Sequence, residues 1–133
     1  MTGEPRWVSF EAVVALNREI VAKTGEPHAL RDGAALQTAI RRPWNIWAYF
    51  MDRDHAVLAA ALMAAIYGAR AFAAGNKRTA LAAASAFLEA NAYRGAFAGN
   101  PHALDRAFEF FAGRVSQAGL VEWLRLWMEP VER

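Results

Sequence analysis

The stretch from Ala56 to Ala69 constrains the fold of this chain most, because its fourteen residues include no charged side chain. A membrane span needs roughly 20 apolar residues, so this stretch is too short to cross a bilayer. Its apolar residues also surround the whole helix circumference, which is typical of a helix buried on all sides. The stretch therefore predicts a central helix in a soluble protein, with no membrane segment.

The composition favours an all-α fold. Alanine, the strongest helix former, occupies 31 of the 133 positions, whereas glycine and proline together occupy 14. A chain of this length suits one domain over residues 1–133. The net charge of +2 is too small and too scattered to predict nucleic-acid binding. Cysteine is absent and the first residues resemble no secretion signal, so we expect a cytoplasmic protein without disulfides.

Capping residues and apolar spacing predict the remaining helices. The predicted helices run from Ser9 to Gly25, from Asp32 to Pro43, from Asp52 or Asp54 to about Tyr67, from Asn76 to Asn91, from Asn100 onward, and from Leu120, after Gly119, to Met128. Pro43 should end the second helix, because proline lacks the backbone donor and clashes with the preceding turn. The aromatic segment 44–50 should then be an irregular or edge element.

The segment Arg70-Ala-Phe-Ala-Ala-Gly-Asn-Lys-Arg-Thr79 lies between the two alanine-rich helices. Gly75 and Asn76 form a turn just before the second of these helices, where first-turn amides and the helix dipole favour an anion. Lys77 and Arg78 add positive charge at the same place. The segment therefore predicts a phosphate-binding loop, although an ordinary capped helix start would contain the same residues.

This loop resembles the signature of the Fic/Doc family, with the lysine that marks its Doc-like branch. The matching positions are Phe72, Gly75, Asn76, Lys77, Arg78 and Thr79. Residues 30–32, 39–43, 79–84 and 87–94 also resemble that branch. The resemblance implies a compact, single-domain helical fold with the anion-binding loop between two central helices. It also implies a transferase that moves a phosphate-containing group from ATP or another nucleotide to a protein hydroxyl.

The Doc-like branch further implies the toxin of a toxin–antitoxin pair, with a Phd-like antitoxin as partner and elongation factor Tu as target. By resemblance, the amides of Gly75 and Asn76 should hold phosphate. Arg78 should clamp phosphate oxygens in a bidentate manner and Lys77 should add a point charge. Phe72 should anchor the loop in the core.

Two positions depart from the family signature. Arg70 stands where the family has its catalytic histidine, and a guanidinium has no lone pair with which to act as a general base. Ala74 stands where the family has the Asp or Glu that binds Mg²⁺, and a methyl group cannot bind that cation. Arg70 is either the natural residue of a diverged chain or one inactivating replacement. It is either a surface cation or a phosphate ligand that replaces the charge of the metal.

These departures leave two functional hypotheses. The first is a Doc-type toxin related to nucleotide-dependent transferases and inactive or impaired in this form. The second is a pseudoenzyme that acts by binding an antitoxin or another protein partner.

Other chemically active residues do not predict a second site. His28, His55 and His102 lie near turns or helix starts, far from the loop in sequence, where capping or solvent exposure is expected, and no metal-ligand spacing is present. The resemblance implies that the aromatic side chains of the segment before the central helix receive a substrate peptide, and plain packing in the core is the alternative. They are Trp44, Trp47, Tyr49 and Phe50.

Overall fold

A computed structural model of the chain describes residues 3–94 and 100–131. The described residues form six helices: α1 Phe10–Thr24, α2 Gly33–Tyr49, α3 His55–Ala69, α4 Asn76–Ala90, α5 Pro101–Phe111 and α6 Gln117–Trp127. The predicted all-α fold is therefore confirmed. Within these ranges, no helix combines the length and the apolar character that crossing a bilayer requires.

Helix α3 lies at the centre, as its sequence predicts, and it packs against α2, α4 and α6. More than half of its side chains are buried, and they lie on all sides of the helix. They are Ala56, Leu58, Ala59, Ala60, Ala61, Leu62, Met63 and Ile66. Helix α4 buries a similar set of small side chains together with Phe87 and Leu88. The loop that joins these two helices is thus held between rigid elements.

The ends of α1 follow the predicted signals. The Ser9 hydroxyl accepts a hydrogen bond from the Ala12 amide, and Gly25 ends the helix in the left-handed conformation. The buried side chains of α1 are Val13, Asn17 and Val21, which are spaced four residues apart on one face. Because α1 packs against α4, this face brings a polar residue, Asn17, close to the loop.

The prediction that Pro43 ends the second helix is wrong. Helix α2 continues through Pro43 to Tyr49, so segment 44–50 is mostly helical and not an irregular or edge element. Leu36, Ala39 and Pro43 are buried at positions i, i+3 and i+7 of the same face, and Trp47 continues that face against the core. Burial of this face outweighs the roughly 3 kcal/mol that an internal proline costs a helix.

Two other boundaries differ from the predictions. Helix α3 continues through Gly68 to Ala69, although its N-cap, Asp54, is one of the two predicted. Helix α6 begins at Gln117, because the Ser116 hydroxyl accepts a hydrogen bond from the Gly119 amide and places that glycine inside the first turn.

The predicted start of α5 and end of α4 are confirmed. Asn100 caps α5 ahead of Pro101, and Asn91 is the C-cap of α4. The predicted exit from α4 reaches Gly95, which lies outside the described residues. Beyond the helices, Tyr93 forms an antiparallel bridge with Pro130, which places the segment after α6 beside the exit from α4.

Candidate anion-binding site

The loop between α3 and α4 is held in place by the segment that joins α1 and α2. Leu30 and Phe72 form an antiparallel bridge. The Arg31 amide donates to the Ala71 carbonyl at 2.7 Å, and the Ala73 amide donates to the Ala29 carbonyl at 2.9 Å. Phe72 is only 3% exposed, which confirms the predicted anchor. Two segments distant in sequence therefore form one rigid wall.

Gly75 occupies a position that a larger residue fits poorly. Its φ of +78° lies in the left-handed region, and a Cβ atom there would lie 2.9 Å from Val21 Cγ1 and 3.2 Å from Asn17 Nδ2. Backbone conformation and packing both favour glycine at this point. The close approach of α1 thus fixes the direction in which α4 begins.

The Asn76 side chain closes the loop. Its Oδ1 accepts a hydrogen bond from the Phe72 amide at 3.1 Å, and its Nδ2 donates to the Phe72 carbonyl at 2.9 Å. Because the side chain is used in this way, Asn76 contributes only its backbone amide to the predicted phosphate site. Asn76 begins α4, as predicted. The hydrogen bonds of its side chain to the Phe72 backbone were not predicted.

A buried polar network, which no sequence motif indicates, supports the loop on the side of α1. Asn17 is fully buried, and its Nδ2 donates to the Ala74 carbonyl at 2.8 Å and to Thr79 Oγ1 at 3.1 Å. Its Oδ1 lies 2.8 Å from His28 Nδ1. Since that oxygen can only accept, His28 donates through Nδ1. The sequence indication of this network is Asn17 itself, a polar residue on the otherwise apolar face of α1.

The expectation of a cap or a solvent-exposed ring is therefore wrong for His28. Its ring is half-buried and lies 6.2 Å from the Phe72 ring, beside the loop and not far from it. His55 is also half-buried. Its Nδ1 lies 3.1 Å from the Tyr93 hydroxyl, and its ring packs edge-on to Phe87. His28 lies at the loop because residues 29–31 pair with residues 71–73. Sequence spacing does not indicate this pairing.

The first turn of α4 faces a cleft. The amides of a first helical turn have no intrahelical acceptors, and no side chain of the described residues caps this helix. Lys77 and Arg78 are both exposed. Lys77 Nζ lies 5.4 Å from the centre of the Phe108 ring. This end of α4 therefore presents backbone donors and two cations to solvent, which is an arrangement suited to binding an anion.

The cleft has a volume of about 600 Å³. Its lining includes all five residues predicted from the sequence, which are Arg70, Gly75, Asn76, Lys77 and Arg78. It also includes Phe72, the predicted anchor of the loop, and four residues that no motif indicated, namely Thr24, Glu26, Arg31 and Phe108. The residues that α1 and the α1–α2 connection contribute were missed because they carry no local motif.

The cleft is strongly cationic. Arg31, Arg70, Lys77 and Arg78 line it, and within the described ranges none of them has a carboxylate oxygen within 4.0 Å. The carboxylate that lines the cleft, Glu26, accepts a hydrogen bond from the Thr24 hydroxyl at 2.5 Å. A group of cations without ion pairs attracts an anionic ligand.

Arg70 ends α3 with a φ of +47°, which is unusual for a residue with a Cβ atom. Its guanidinium lies 5.3 Å from the centre of the Tyr67 ring, which stacks on Phe111 at 4.3 Å. Arg70 is exposed and also lines the cleft. The guanidinium is thus positioned at the cleft but offers no lone pair for removing a proton.

The residues around position 74 do not fit a magnesium ion. Ala74 presents a methyl group, and its carbonyl oxygen accepts the hydrogen bond from Asn17. Magnesium binds through oxygen ligands, usually one or two carboxylates with water. In the part of the chain that the structure describes, no group of three or more His, Asp or Glu residues is placed to hold a metal ion.

The remaining predicted residues lie away from the cleft lining. His102 is exposed at the start of α5. In the aromatic segment, Trp47 packs against the core and Trp44 lies under Arg41, with the guanidinium 4.6 Å from its ring centre. Tyr49 and Phe50 are each 72% exposed.

A model of the Fic/DOC family matches residues 7–88 of the chain. The match extends from the residues before α1 to the last turns of α4 and includes the whole loop that lines the cleft. No curated protein matches the chain.

Proposed function

Because this chain belongs to the Fic/DOC family, we propose that its cleft binds the phosphates of a nucleotide, as the site of a Fic-type transferase. One observation carries this proposal. The first turn of α4 and four cations line the same cleft, and among the described residues neither the turn has a side-chain cap nor the cations an ion pair. Backbone amides and guanidinium groups are the donors that phosphate oxygens prefer in proteins.

The proposed ancestral reaction joins a protein hydroxyl oxygen to a phosphorus atom of the nucleotide while the bond to the leaving phosphate breaks. The hydroxyl proton must pass to a base. Arg70 occupies the position of that base, and a guanidinium has no lone pair with which to accept the proton. We therefore propose that this form binds a nucleotide but transfers no group, or transfers it very slowly.

The biological role that we propose is that of a Doc-type toxin. The lysine at position 77 and the similarity at residues 30–32 and 87–94 support the Doc-like branch. On this proposal, a Phd-like antitoxin is the partner and a translation elongation factor is the target. On the same proposal, the toxic activity is lost because Arg70 replaces the catalytic histidine.

Transfer assays with labelled ATP and other nucleotides test the proposal. The unchanged chain, Arg70→His and the double variant Arg70→His/Ala74→Asp are each incubated with lysate proteins. We expect no label from the unchanged chain and labelling from at least one variant. Labelling by Arg70→His alone would indicate that one replacement inactivated a transferase, whereas a need for both changes would indicate longer divergence.

Nucleotide binding provides the second arm of this test. Arg78→Ala should weaken ATP binding about tenfold or more, because it removes a charge-assisted contact. Arg18→Ala is the matched control, since Arg18 is exposed on α1 and does not line the cleft. If neither ATP nor inorganic phosphate binds, or if both variants bind as the unchanged chain does, the proposed function is wrong.

A pseudoenzyme that acts by binding another protein is the second candidate. The end of α2 favours it, because Tyr49, Phe50 and Met51 expose 72%, 72% and 66% of their surfaces next to one another. The test is a titration with the small protein encoded by an adjacent open reading frame. Tight binding that Tyr49→Ala weakens, combined with no transfer by the Arg70→His/Ala74→Asp variant, would support this candidate. Leu126→Ala on α6 is the control, because Leu126 is 83% exposed.

A further inference from the structure

We infer that the cleft binds its polyphosphate ligand without a divalent cation, and that Arg31 and Arg70 supply the positive charge that a metal ion would otherwise provide. This inference rests on the proposed function, because it specifies the form in which the nucleotide binds. It assigns a ligand-binding role to Arg31, which lies outside the loop motif.

Residues 70–75 of the loop have no side-chain oxygen that could bind a cation. The methyl group of Ala74 cannot bind a metal, and its carbonyl oxygen is held by Asn17 at 2.8 Å. Glu26 is the carboxylate among the described residues that line the cleft, and it accepts a hydrogen bond from Thr24. One engaged carboxylate beside four cations is an unfavourable site for a divalent cation.

The backbone places Arg31 beside Arg70. The Arg31 amide donates to the carbonyl of Ala71, the residue after Arg70, at 2.7 Å. The bridge between Leu30 and Phe72 fixes the register of the two segments. Arg31 therefore belongs to the same rigid wall as the loop, and both arginines line the cleft.

The charge of Arg31 is not neutralised by its neighbour in sequence. Asp32 is the N-cap of α2, and its Oδ1 accepts a hydrogen bond from the Ala35 amide at 3.0 Å. Within the described ranges, no carboxylate lies within 4.0 Å of the Arg31 guanidinium. Arg31 is thus available to bind phosphate oxygens in a bidentate manner.

This arrangement predicts that magnesium weakens binding. A magnesium ion bound to a polyphosphate lowers the negative charge of the ligand and occupies oxygens that the arginines would contact. In a site that needs the metal, magnesium would instead strengthen binding. The sign of the magnesium effect therefore distinguishes the two cases.

The experiment is calorimetric titration of the full chain with ADP, ATP and inorganic pyrophosphate, in EDTA and in excess MgCl₂ at matched ionic strength. We expect Kd to be lower in EDTA by about fivefold or more. Arg31→Gln should weaken binding in EDTA about tenfold, the loss expected for one charge-assisted contact, and should reduce the magnesium effect. Arg31→Lys should recover part of the affinity, and Arg18→Gln should change nothing.

The outcomes separate this inference from the proposed function. Binding that requires magnesium, or that Arg31→Gln leaves unchanged, would overturn the inference while the proposed function stands. If none of the three probes binds in either buffer, both are overturned. Far-UV circular dichroism and thermal unfolding of Arg31→Gln establish that the exposed substitution leaves the fold intact.

Discussion

The side-chain nitrogen of Asn17 donates a hydrogen bond to the carbonyl oxygen of Ala74 at 2.8 Å, which ties α1 to the loop before α4. The same nitrogen donates to Thr79 Oγ1 at 3.1 Å, one turn into α4. A single buried amide thus holds the loop at both sides of Gly75. The orientation of the anion-binding amides therefore depends on a residue that no ligand would touch.

Replacing Asn17 with alanine should destabilise the protein by about 2–4 kcal/mol, because it leaves a carbonyl, a hydroxyl and His28 without a buried partner. Urea unfolding measures this change. Asn45→Ala in α2 is the control, since Asn45 has no side-chain hydrogen bond within the described part of the chain, and it should change stability by less than about 0.5 kcal/mol. Equal effects of the two variants would contradict the proposed support of the loop.

Replacing two glycines with alanine distinguishes the contributions of backbone conformation and of packing to stability. Gly25 and Gly75 both have a positive φ, +74° and +78°, but only a Cβ at Gly75 would meet other atoms within 4 Å. Gly25→Ala should therefore cost about 1 kcal/mol for the left-handed conformation. Gly75→Ala should cost about 2–4 kcal/mol, because a steric clash with Val21 is added.

Thermal unfolding of both glycine variants measures the difference. Gly75→Ala should also weaken phosphate binding, because relief of the clash moves the start of α4, whereas Gly25→Ala should leave binding unchanged. If the two variants lose equal stability, the contact between α1 and Gly75 contributes little.

Local signals explain which parts of the fold could be predicted. Ser9, Gly25 and the Asn100–Pro101 pair act on their own helix ends, and each was identified correctly from the sequence. The five residues that the loop motif indicated line one cleft, and their role in binding phosphate stays a prediction. In each case the residues that determine the feature lie close to one another along the sequence.

The missed features depend on contacts distant in sequence. Arg31 reaches the cleft because residues 29–31 pair with residues 71–73, and no periodicity indicates that pairing. Asn17 lies 57 positions before its partner Ala74. Pro43 illustrates the opposite error, in which a strong local rule is outweighed by burial of one helix face.

Pro43→Ala should stabilise the protein by about 1 kcal/mol. The substitution restores a helical hydrogen-bond donor and removes a cost of roughly 3 kcal/mol. It also removes part of a buried ring, which costs roughly 2 kcal/mol at about 0.8 kcal/mol for each methylene group and a small cavity. Pro101→Ala is the control, because proline at the first position of α5 is already favourable and its loss should not stabilise. Chemical denaturation of both variants gives the comparison.

The last prediction concerns the pH dependence of stability. Burial lowers the pKa of His55 below its ordinary value of 6.5, and the charge of Asp54 offsets only part of this effect. Because the unfolded chain binds the proton more readily, the contribution of His55 to stability is present above about pH 6.5 and is lost as the pH falls below that value. His55→Asn should therefore reduce the decline in unfolding free energy between about pH 6.5 and 5.

The titration of Asp54 does not contribute to the decline between about pH 6.5 and 5. Burial raises the pKa of its carboxyl group, but hydrogen bonds from Arg125 and from the Ala56 amide outweigh burial, so the pKa lies below its ordinary value of 3.8. Its contribution is accordingly lost only at more acidic pH. His102→Gln is the control, since His102 is exposed and should leave the decline between about pH 6.5 and 5 unchanged. If His55→Asn does not reduce this decline, the lowered pKa of the buried His55 ring does not contribute to the pH dependence of the unfolding free energy.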